Sequence, residues 1–138
     1  MAALVRHDAA EAVQLIGLEI EPRADAREVA RLFDALDRVD ERVNPRTARL
    51  LTSGRRKMAQ KVMEEAGEVA LEAVRHRPRA VVRESADLVY NLVVLWRECG
   101  VTPDAVWAEM RRRADRFGIA EKLPKPASLG LPPAGRGA

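Results

Sequence analysis

The stretch ESADLVYNLVVLW, residues 84–96, combines a nearly unbroken apolar run with three polar side chains. On a helix, Glu84, Asp87 and Asn91 stand at positions i, i+3 and i+7 and form one polar stripe. Apolar side chains cover nearly all the remaining surface: Leu88, Val89, Leu92, Val93, Val94 and Leu95. The run falls short of the roughly 20 residues that cross a bilayer, so it predicts a buried helix with two carboxylates confined to one stripe.

A second group of acids precedes this stretch, in the EEAGE motif that contains Glu64, Glu65 and Glu68. Glu65 and Glu68 share one face of a helix, and Glu64 lies beside Glu68. Pro78 separates the two predicted helices and makes them antiparallel neighbours. Glu68 stands ten residues before Pro78 and Asp87 nine residues after it, so the two acidic groups come to a similar height on a helical hairpin.

Carboxylates that converge in this way repel one another and lose hydration, so they need solvent, arginine partners or a divalent cation. Oxygen ligands with open coordination positions suit Mg²⁺, with Mn²⁺ as the alternative metal. Two other interpretations stay open: a solvated helix face, and a structural ion-pair network with Arg75, Arg77 or Arg83. The register of the two motifs on adjacent helices favours the metal site.

Helical periodicity predicts an all-α fold, a hairpin bundle of about five helices. Four helices are assigned to the segments 25–44, 55–76, 79–99 and 103–118. Asp25 and Glu28 resemble a capping box at the first start, and Thr102 provides an N-cap for the last helix. Residues 46–54 fit either a short helix or a loop, and residues 9–20 fit either a helix or an extended arm.

The composition is typical of a helical globular domain. The 138 residues are 47% hydrophobic and 33% charged but only 4% aromatic, which argues against a base-stacking nucleic-acid module. The net charge of +3 comes from arginines interleaved with acids, so neither nucleic acid nor a membrane is an expected partner. A single cysteine, Cys99, excludes an internal disulfide and favours the cytoplasm. We assign 1–24 to an N-terminal extension, 25–118 to the all-α domain and 119–138 to a Pro/Gly-rich tail.

The helix at 84–96 also predicts self-association. Its apolar side chains face several directions and need neighbours on several sides, more than the few helices of one chain provide. We therefore expect a homodimer or a larger homo-oligomer.

Four stretches together resemble one known family: TARLLTSG (47–54), KMAQKVMEEAGEVALEA (57–73), ESADLVYNLVVLW (84–96) and GVTPDAVWAEMRRR (100–113). The acidic motifs are similar to the signature of the all-α nucleoside triphosphate pyrophosphohydrolases, the MazG-like superfamily. Within it, the whole pattern is most similar to the phosphoribosyl-ATP pyrophosphohydrolase family. The resemblance implies Mg²⁺-dependent hydrolysis of the α–β phosphoanhydride of phosphoribosyl-ATP to phosphoribosyl-AMP and pyrophosphate, a step of histidine biosynthesis, and it implies a homo-oligomer.

The same resemblance assigns roles to individual residues. The matching metal-ligand positions are Glu65, Glu68, Glu84 and Asp87. Glu64 and Glu65 match catalytic positions, with Glu64 coordinating further or orienting the water, and Lys57, Lys61 and Asn91 match substrate-binding positions. Asn91 stands where the family usually has His, and Pro45-Arg46 where it usually has Ser-Tyr. A house-cleaning nucleoside triphosphate pyrophosphohydrolase and a non-catalytic helical assembly module are the alternatives.

Overall fold

A computed structural model describes Gly17 and residues 24–125 of the chain. The described residues form five α-helices: α1 Arg27–Ala35, α2 Pro45–Leu51, α3 Arg55–Val74, α4 Pro78–Glu98 and α5 Pro103–Phe117. A short 3₁₀ helix, Leu36–Arg38, continues α1, and this part of the chain contains no β-strand. The predicted all-α class is confirmed, and none of these helices has the length and apolar character that crossing a membrane requires. The extension at 1–24, apart from Gly17 and Ala24, and the tail after Lys125 lie outside the described residues.

Helices α3 and α4 form the predicted helical hairpin and make the most extensive helix contact of the described chain. A three-residue turn joins them, and Pro78 occupies the first turn of α4, where its missing N–H costs no hydrogen bond. His76 turns the chain with a positive φ of 54°. The Glu72 carboxylate accepts a hydrogen bond from Arg75 at 2.9 Å and pairs with Arg77 at 3.6 Å. These ion pairs hold the turn closed.

The hydrophobic core lies toward the open end of this hairpin. Its buried members come from α3, α4 and the 3₁₀ helix: Leu36, Met58, Val93 and Val94. Partly buried side chains from α1, α2 and α4 and from the connection after α1 surround them: Val29, Leu32, Phe33, Val39, Leu50, Leu51, Tyr90, Leu95 and Trp96. The core therefore fixes α1 and α2 against the hairpin at the level of the second half of α4.

The first helix ends earlier than the sequence predicted. Its end was expected near Asn44, but α1 and its 3₁₀ continuation stop at Arg38, and Val39 is extended with φ −64° and ψ 126°. Asp40 supplies the physical reason. Its carboxylate accepts the Arg42 N–H at 2.7 Å and its carbonyl accepts the Asn44 N–H at 2.7 Å, a local turn that competes with helix continuation.

The predicted capping box at the start of α1 is wrong in one half. Asp25 accepts the backbone N–H of Arg27 at 2.8 Å, as a capping side chain does. The Glu28 carboxylate, however, pairs with Arg31 instead of turning back toward the helix start. A basic side chain one turn ahead therefore outcompetes the reciprocal hydrogen bond.

The undecided segment at 46–54 is mostly helical. Pro45 takes the first position of α2, and Gly54 adopts φ +86° between α2 and α3, a conformation that side chains with a Cβ rarely adopt. Thr47 Oγ1 and Tyr90 Oη share a partly buried hydrogen bond of 2.7 Å. This bond fastens the short α2 to α4.

The chain divides into two compact units, with the boundary after Ala105. The Ala105 N–H donates to Thr102 Oγ1 at 3.2 Å, which confirms the predicted N-cap of α5. In the second unit, Glu109 accepts hydrogen bonds from Arg112 at 2.8 and 2.9 Å and from Arg113 at 2.8 Å. These two guanidinium groups, Arg112 first, lower the pKa of Glu109 to about 2.

Candidate metal centre and phosphate pocket

Three carboxylates meet on the α3–α4 hairpin. Oxygen atoms of Glu65, Glu84 and Asp87 all lie within 4.8 Å of one another. Glu84 and Asp87 share a face of α4 because they are three residues apart, and the hairpin brings Glu65 of α3 against them. Glu65 and Glu84 are partly buried and Asp87 is exposed. We call these three residues the carboxylate cluster.

Nearby cations neutralise only part of the negative charge of the carboxylate cluster. Lys61 Nζ lies 3.2 Å from Glu65 and 2.8 Å from Glu64, and Arg83 reaches Glu84 only at 3.8 Å. Hydrogen bonds with Glu64 and then Glu65 raise the pKa of Lys61, so its ammonium group stays charged at neutral pH. The cluster therefore holds more negative charge than these neighbours neutralise.

The alternative interpretation, a structural ion-pair network with three arginines, has little support, because only one of the three contacts the carboxylate cluster. Arg75 and Arg77 pair with Glu72 at the hairpin turn and not with the cluster. Among the described residues, Arg83 alone of these three arginines pairs with a residue of the cluster, Glu84. Neutralisation by arginine thus does not account for three carboxylates at this distance.

The other two acids of the EEAGE motif lie outside the cluster. Glu64 accepts hydrogen bonds from Gln60 at 2.9 Å and from Lys61 at 2.8 Å. These contacts, Lys61 first, lower the pKa of Glu64. Glu68 is exposed, and it has no ion pair within residues 24–125. The structure thus brings together three of the four residues predicted as metal ligands and leaves Glu68 one turn away.

A cavity of about 450 Å³ adjoins the cluster; we call it the cationic pocket. Its lining combines basic, polar and apolar side chains: Arg46, Arg49, Leu50, Ser53, Lys57, Lys61, Asp87, Tyr90 and Asn91. All three residues predicted to bind substrate, Lys57, Lys61 and Asn91, are among them. Asp87 belongs to both the pocket and the cluster, so the two sites are continuous.

The sequence alone did not identify Arg46 and Arg49 as pocket residues. They are three residues apart on α2, which places them on one face, but only once the segment is known to be helical. Arg46 and Arg49 are visible in the sequence as two basic residues shortly before the TSG motif. Because the secondary structure of residues 46–54 was undecided, their shared helix face could not be predicted.

Asn91 lines the pocket although it is only 5% exposed. Its side-chain amide donates to the backbone carbonyl of Asp87 at 2.9 Å, one turn earlier on α4. This bond fixes the orientation of the amide beside the pocket. It also ties Asn91 to the turn of α4 that supplies a cluster carboxylate.

The donor set of the cluster fits a hard divalent cation. Three carboxylates supply only oxygen ligands, and the exposure of Asp87 leaves coordination positions for water and for phosphate oxygens. This combination suits Mg²⁺ or Mn²⁺ rather than Zn²⁺, which prefers nitrogen and sulfur ligands.

Comparison with known proteins identifies relatives across most of the chain. The family model described as phosphoribosyl-ATP pyrophosphohydrolase matches residues 26–114. Phosphoribosyl-ATP pyrophosphatase 2 of Rhodopseudomonas palustris is 53% identical over 112 residues, which cover 75% of this chain and 85% of the relative. The protein of the same name from Bradyrhizobium diazoefficiens is 62% identical over 82 residues, covering 59% of this chain and 61% of the relative. No solved structure matches significantly. This chain belongs to the phosphoribosyl-ATP pyrophosphohydrolase family.

Proposed function

We propose that this chain hydrolyses the α–β phosphoanhydride of phosphoribosyl-ATP to phosphoribosyl-AMP and pyrophosphate, with Mg²⁺ as the metal and Mn²⁺ as a substitute. One observation carries the proposal in a member of this family: Asp87 joins a three-carboxylate cluster to a pocket lined by four basic side chains. Metal ligands and phosphate-binding cations are thus continuous, as a polyphosphate substrate requires. The reaction is a step of histidine biosynthesis.

Glu65, Glu84 and Asp87 would hold the cation. We include Glu68 as a fourth ligand, because it follows Glu65 by one turn and its exposed side chain has no ion-pair partner within the described residues. When bound, the metal neutralises phosphate charge and lowers the pKa of a bound water. Removal of one carboxylate therefore reduces both metal affinity and hydrolysis.

Glu64 and Lys61 would act beside the ligands. Hydrolysis adds one water across the anhydride, breaks one P–O bond and releases a proton. Lys61 and Gln60 lower the pKa of Glu64 and so favour its ionised form, in which Glu64 would accept a hydrogen bond from the attacking water and orient it. Lys61 and Lys57 would contact phosphate oxygens, and Asn91 would contact the substrate across the pocket.

The chain is proposed to function as a homodimer or larger homo-oligomer. Only five apolar side chains are buried among the described residues: Leu36, Met58, Val93, Val94 and Pro103. Toward the hairpin turn, Leu71, Val74 and Val82 are 42%, 76% and 44% exposed, and Met63 is 75% exposed. A second copy would cover this apolar surface. Light scattering at micromolar concentration tests this, and a monomer would refute it.

We also propose that the protein works in the cytoplasm. Its one cysteine, Cys99, is free and exposed, a state that a reducing compartment preserves. Fractionation of the native host tests this, and recovery with an oxidising compartment would contradict it.

A substrate panel tests the proposed activity. Pyrophosphate release is measured with Mg²⁺ for phosphoribosyl-ATP and for the common ribonucleoside and deoxyribonucleoside triphosphates. We expect the highest kcat/KM for phosphoribosyl-ATP, and no release in EDTA. Preference for a simple nucleoside triphosphate would replace this function with a house-cleaning activity, and no release from any substrate would leave a non-catalytic module.

A further inference from the structure

The cationic pocket has two basic walls. Arg46 and Arg49 stand on α2, and Lys57 and Lys61 stand on the first turns of α3. Asp87 is the only carboxylate among the described residues that line the pocket, and it lies where the pocket meets the carboxylate cluster. Four cations thus surround a cavity with one acid at its edge.

Two of these cations, Arg46 and Arg49, lack a carboxylate partner among the described residues. Lys61 forms ion pairs with Glu64 and Glu65. Within residues 24–125, neither Arg46 nor Arg49 forms an ion pair, whereas Lys57 donates a hydrogen bond to Gln60 Oε1 at 3.5 Å and its charge also acts on Glu64. Several like charges around one cavity favour an anionic occupant that accepts hydrogen bonds from all of them.

A neighbouring cavity of about 540 Å³ has the opposite character. It is lined mostly by apolar and small side chains, including Val29, Leu32 and Val89, and its two charged residues, Glu28 and Arg31, pair with each other. This second cavity therefore offers no net charge to a polyanion. The anionic part of a ligand belongs in the cationic pocket.

The position of the cationic pocket beside the carboxylate cluster indicates which anion the pocket binds. The bond to be hydrolysed must lie at the metal ligands, and Asp87 places the pocket directly beside them. The β- and γ-phosphates extend from that bond on one side, and the α-phosphate with the nucleoside and its phosphoribosyl group extends on the other. The side with uncompensated cations matches the β- and γ-phosphates, which gain negative charge as they leave together.

We propose that the cationic pocket receives the leaving pyrophosphate and that Arg46 and Arg49 bind its phosphates, an inference that rests on the pyrophosphohydrolase function proposed above. Guanidinium groups donate paired hydrogen bonds to phosphate oxygens, so two of them on one helix face hold a pyrophosphate in a fixed orientation. The hydrogen bond between Thr47 and Tyr90 keeps that helix face over the pocket.

The test compares how the two products bind. Pyrophosphate with Mg²⁺ and phosphoribosyl-AMP with Mg²⁺ are each titrated calorimetrically into the full chain and into Arg46→Gln and Arg49→Gln. Each variant should weaken pyrophosphate binding by about 10- to 100-fold, the effect of losing a charged hydrogen-bond donor. Phosphoribosyl-AMP affinity should change less than twofold. Arg42→Gln is the matched control, because Arg42 is an exposed arginine outside the pocket lining, and it should change neither affinity.

Two results would overturn the inference. Unchanged pyrophosphate affinity in both pocket variants would show that the arginines do not bind it. A loss of phosphoribosyl-AMP affinity with pyrophosphate binding intact would assign the pocket to the nucleotide product. Thermal melting checks the fold of each variant, and because both arginines are exposed, no loss of stability is expected.

Failure of this inference is separable from failure of the proposed function. The titrations measure binding without turnover, so they apply even if phosphoribosyl-ATP is not the substrate. An inactive wild type that binds pyrophosphate through Arg46 and Arg49 would refute the function and support the pocket assignment. An active wild type whose two variants bind pyrophosphate normally would do the reverse.

Discussion

Asp87 is the residue at which charge repulsion and metal binding oppose each other most directly. Its carboxylate lies within 4.8 Å of oxygen atoms from Glu65 and Glu84. At that distance two carboxylate charges repel by about 1 kcal/mol in water and by about 3.5 kcal/mol at an effective dielectric constant near 20. Asp87 is exposed and Lys61 offsets part of the Glu65 charge, so the lower value applies.

Asp87→Asn should therefore stabilise the metal-free protein while removing its activity. We expect the free energy of unfolding in EDTA to rise by about 1 kcal/mol, which raises Tm by about 4 °C. Metal at ten times its Kd stabilises the wild type by about 1.4 kcal/mol, and the variant should lose most of that gain. Hydrolysis should fall by at least about 100-fold, because the metal loses a charged ligand.

Thermal melts in EDTA and in Mg²⁺ measure the metal-free stability and the stabilisation by metal, and pyrophosphate release from the same samples measures hydrolysis. Glu98→Gln is the control: it removes one charge from an exposed residue at the end of α4, outside the cluster. It should leave activity and the Mg²⁺-dependent rise in Tm unchanged. If Asp87→Asn instead loses 1 kcal/mol or more in EDTA, roughly the effect of a broken structural contact, Asp87 is an ion-pair partner and the metal assignment is wrong.

Three further changes test the supporting structure. Tyr90→Phe removes the hydrogen bond to Thr47 and should cost about 1 kcal/mol of unfolding free energy and raise KM, measured by denaturation and steady-state kinetics. Val94→Ala should cost about 2 kcal/mol in chemical denaturation, whereas Val43→Ala, at a residue 74% exposed and outside the apolar surface near the hairpin turn, should cost almost nothing. The pKa of Glu109, about 2, lies below its ordinary 4.5, so the ion pairs of Glu109 contribute fully to stability above pH 4.5 and lose that contribution toward pH 2. Glu109→Gln should therefore weaken the pH dependence of the unfolding free energy between pH 4.5 and pH 2, measured by denaturation at low salt.

The hairpin was predictable because two strong local signals agree. Acids at i and i+3 set the face of each helix, and Pro78 sets the point where one helix ends and the next begins. Their combination brings the two acidic motifs together on one hairpin, but it matched Glu68 with Asp87, whereas the structure places Glu65 there. Which acids of EEAGE turn toward α4 was not predictable, because that depends on the axial register and rotation of α3 against α4, which tertiary packing sets.

The α2 region shows where sequence reasoning stops. A seven-residue helix is too short for its periodicity to be decisive. Its place in the fold depends on a hydrogen bond between Thr47 and Tyr90, which are 43 residues apart in the sequence. The pocket arginines on this helix could therefore not be recognised before the structure was known. The early end of α1 has a similar cause, since the turn at Asp40 depends on a local side-chain bond.

The central claim is that the cluster and the pocket together hydrolyse the α–β anhydride of phosphoribosyl-ATP. Phosphorus NMR of the purified chain with phosphoribosyl-ATP and Mg²⁺ tests it most directly. We expect phosphoribosyl-AMP and pyrophosphate to appear in equal amounts, with no reaction in EDTA. Release of orthophosphate, or an unchanged phosphoribosyl-ATP spectrum while another nucleoside triphosphate is cleaved, would contradict the claim.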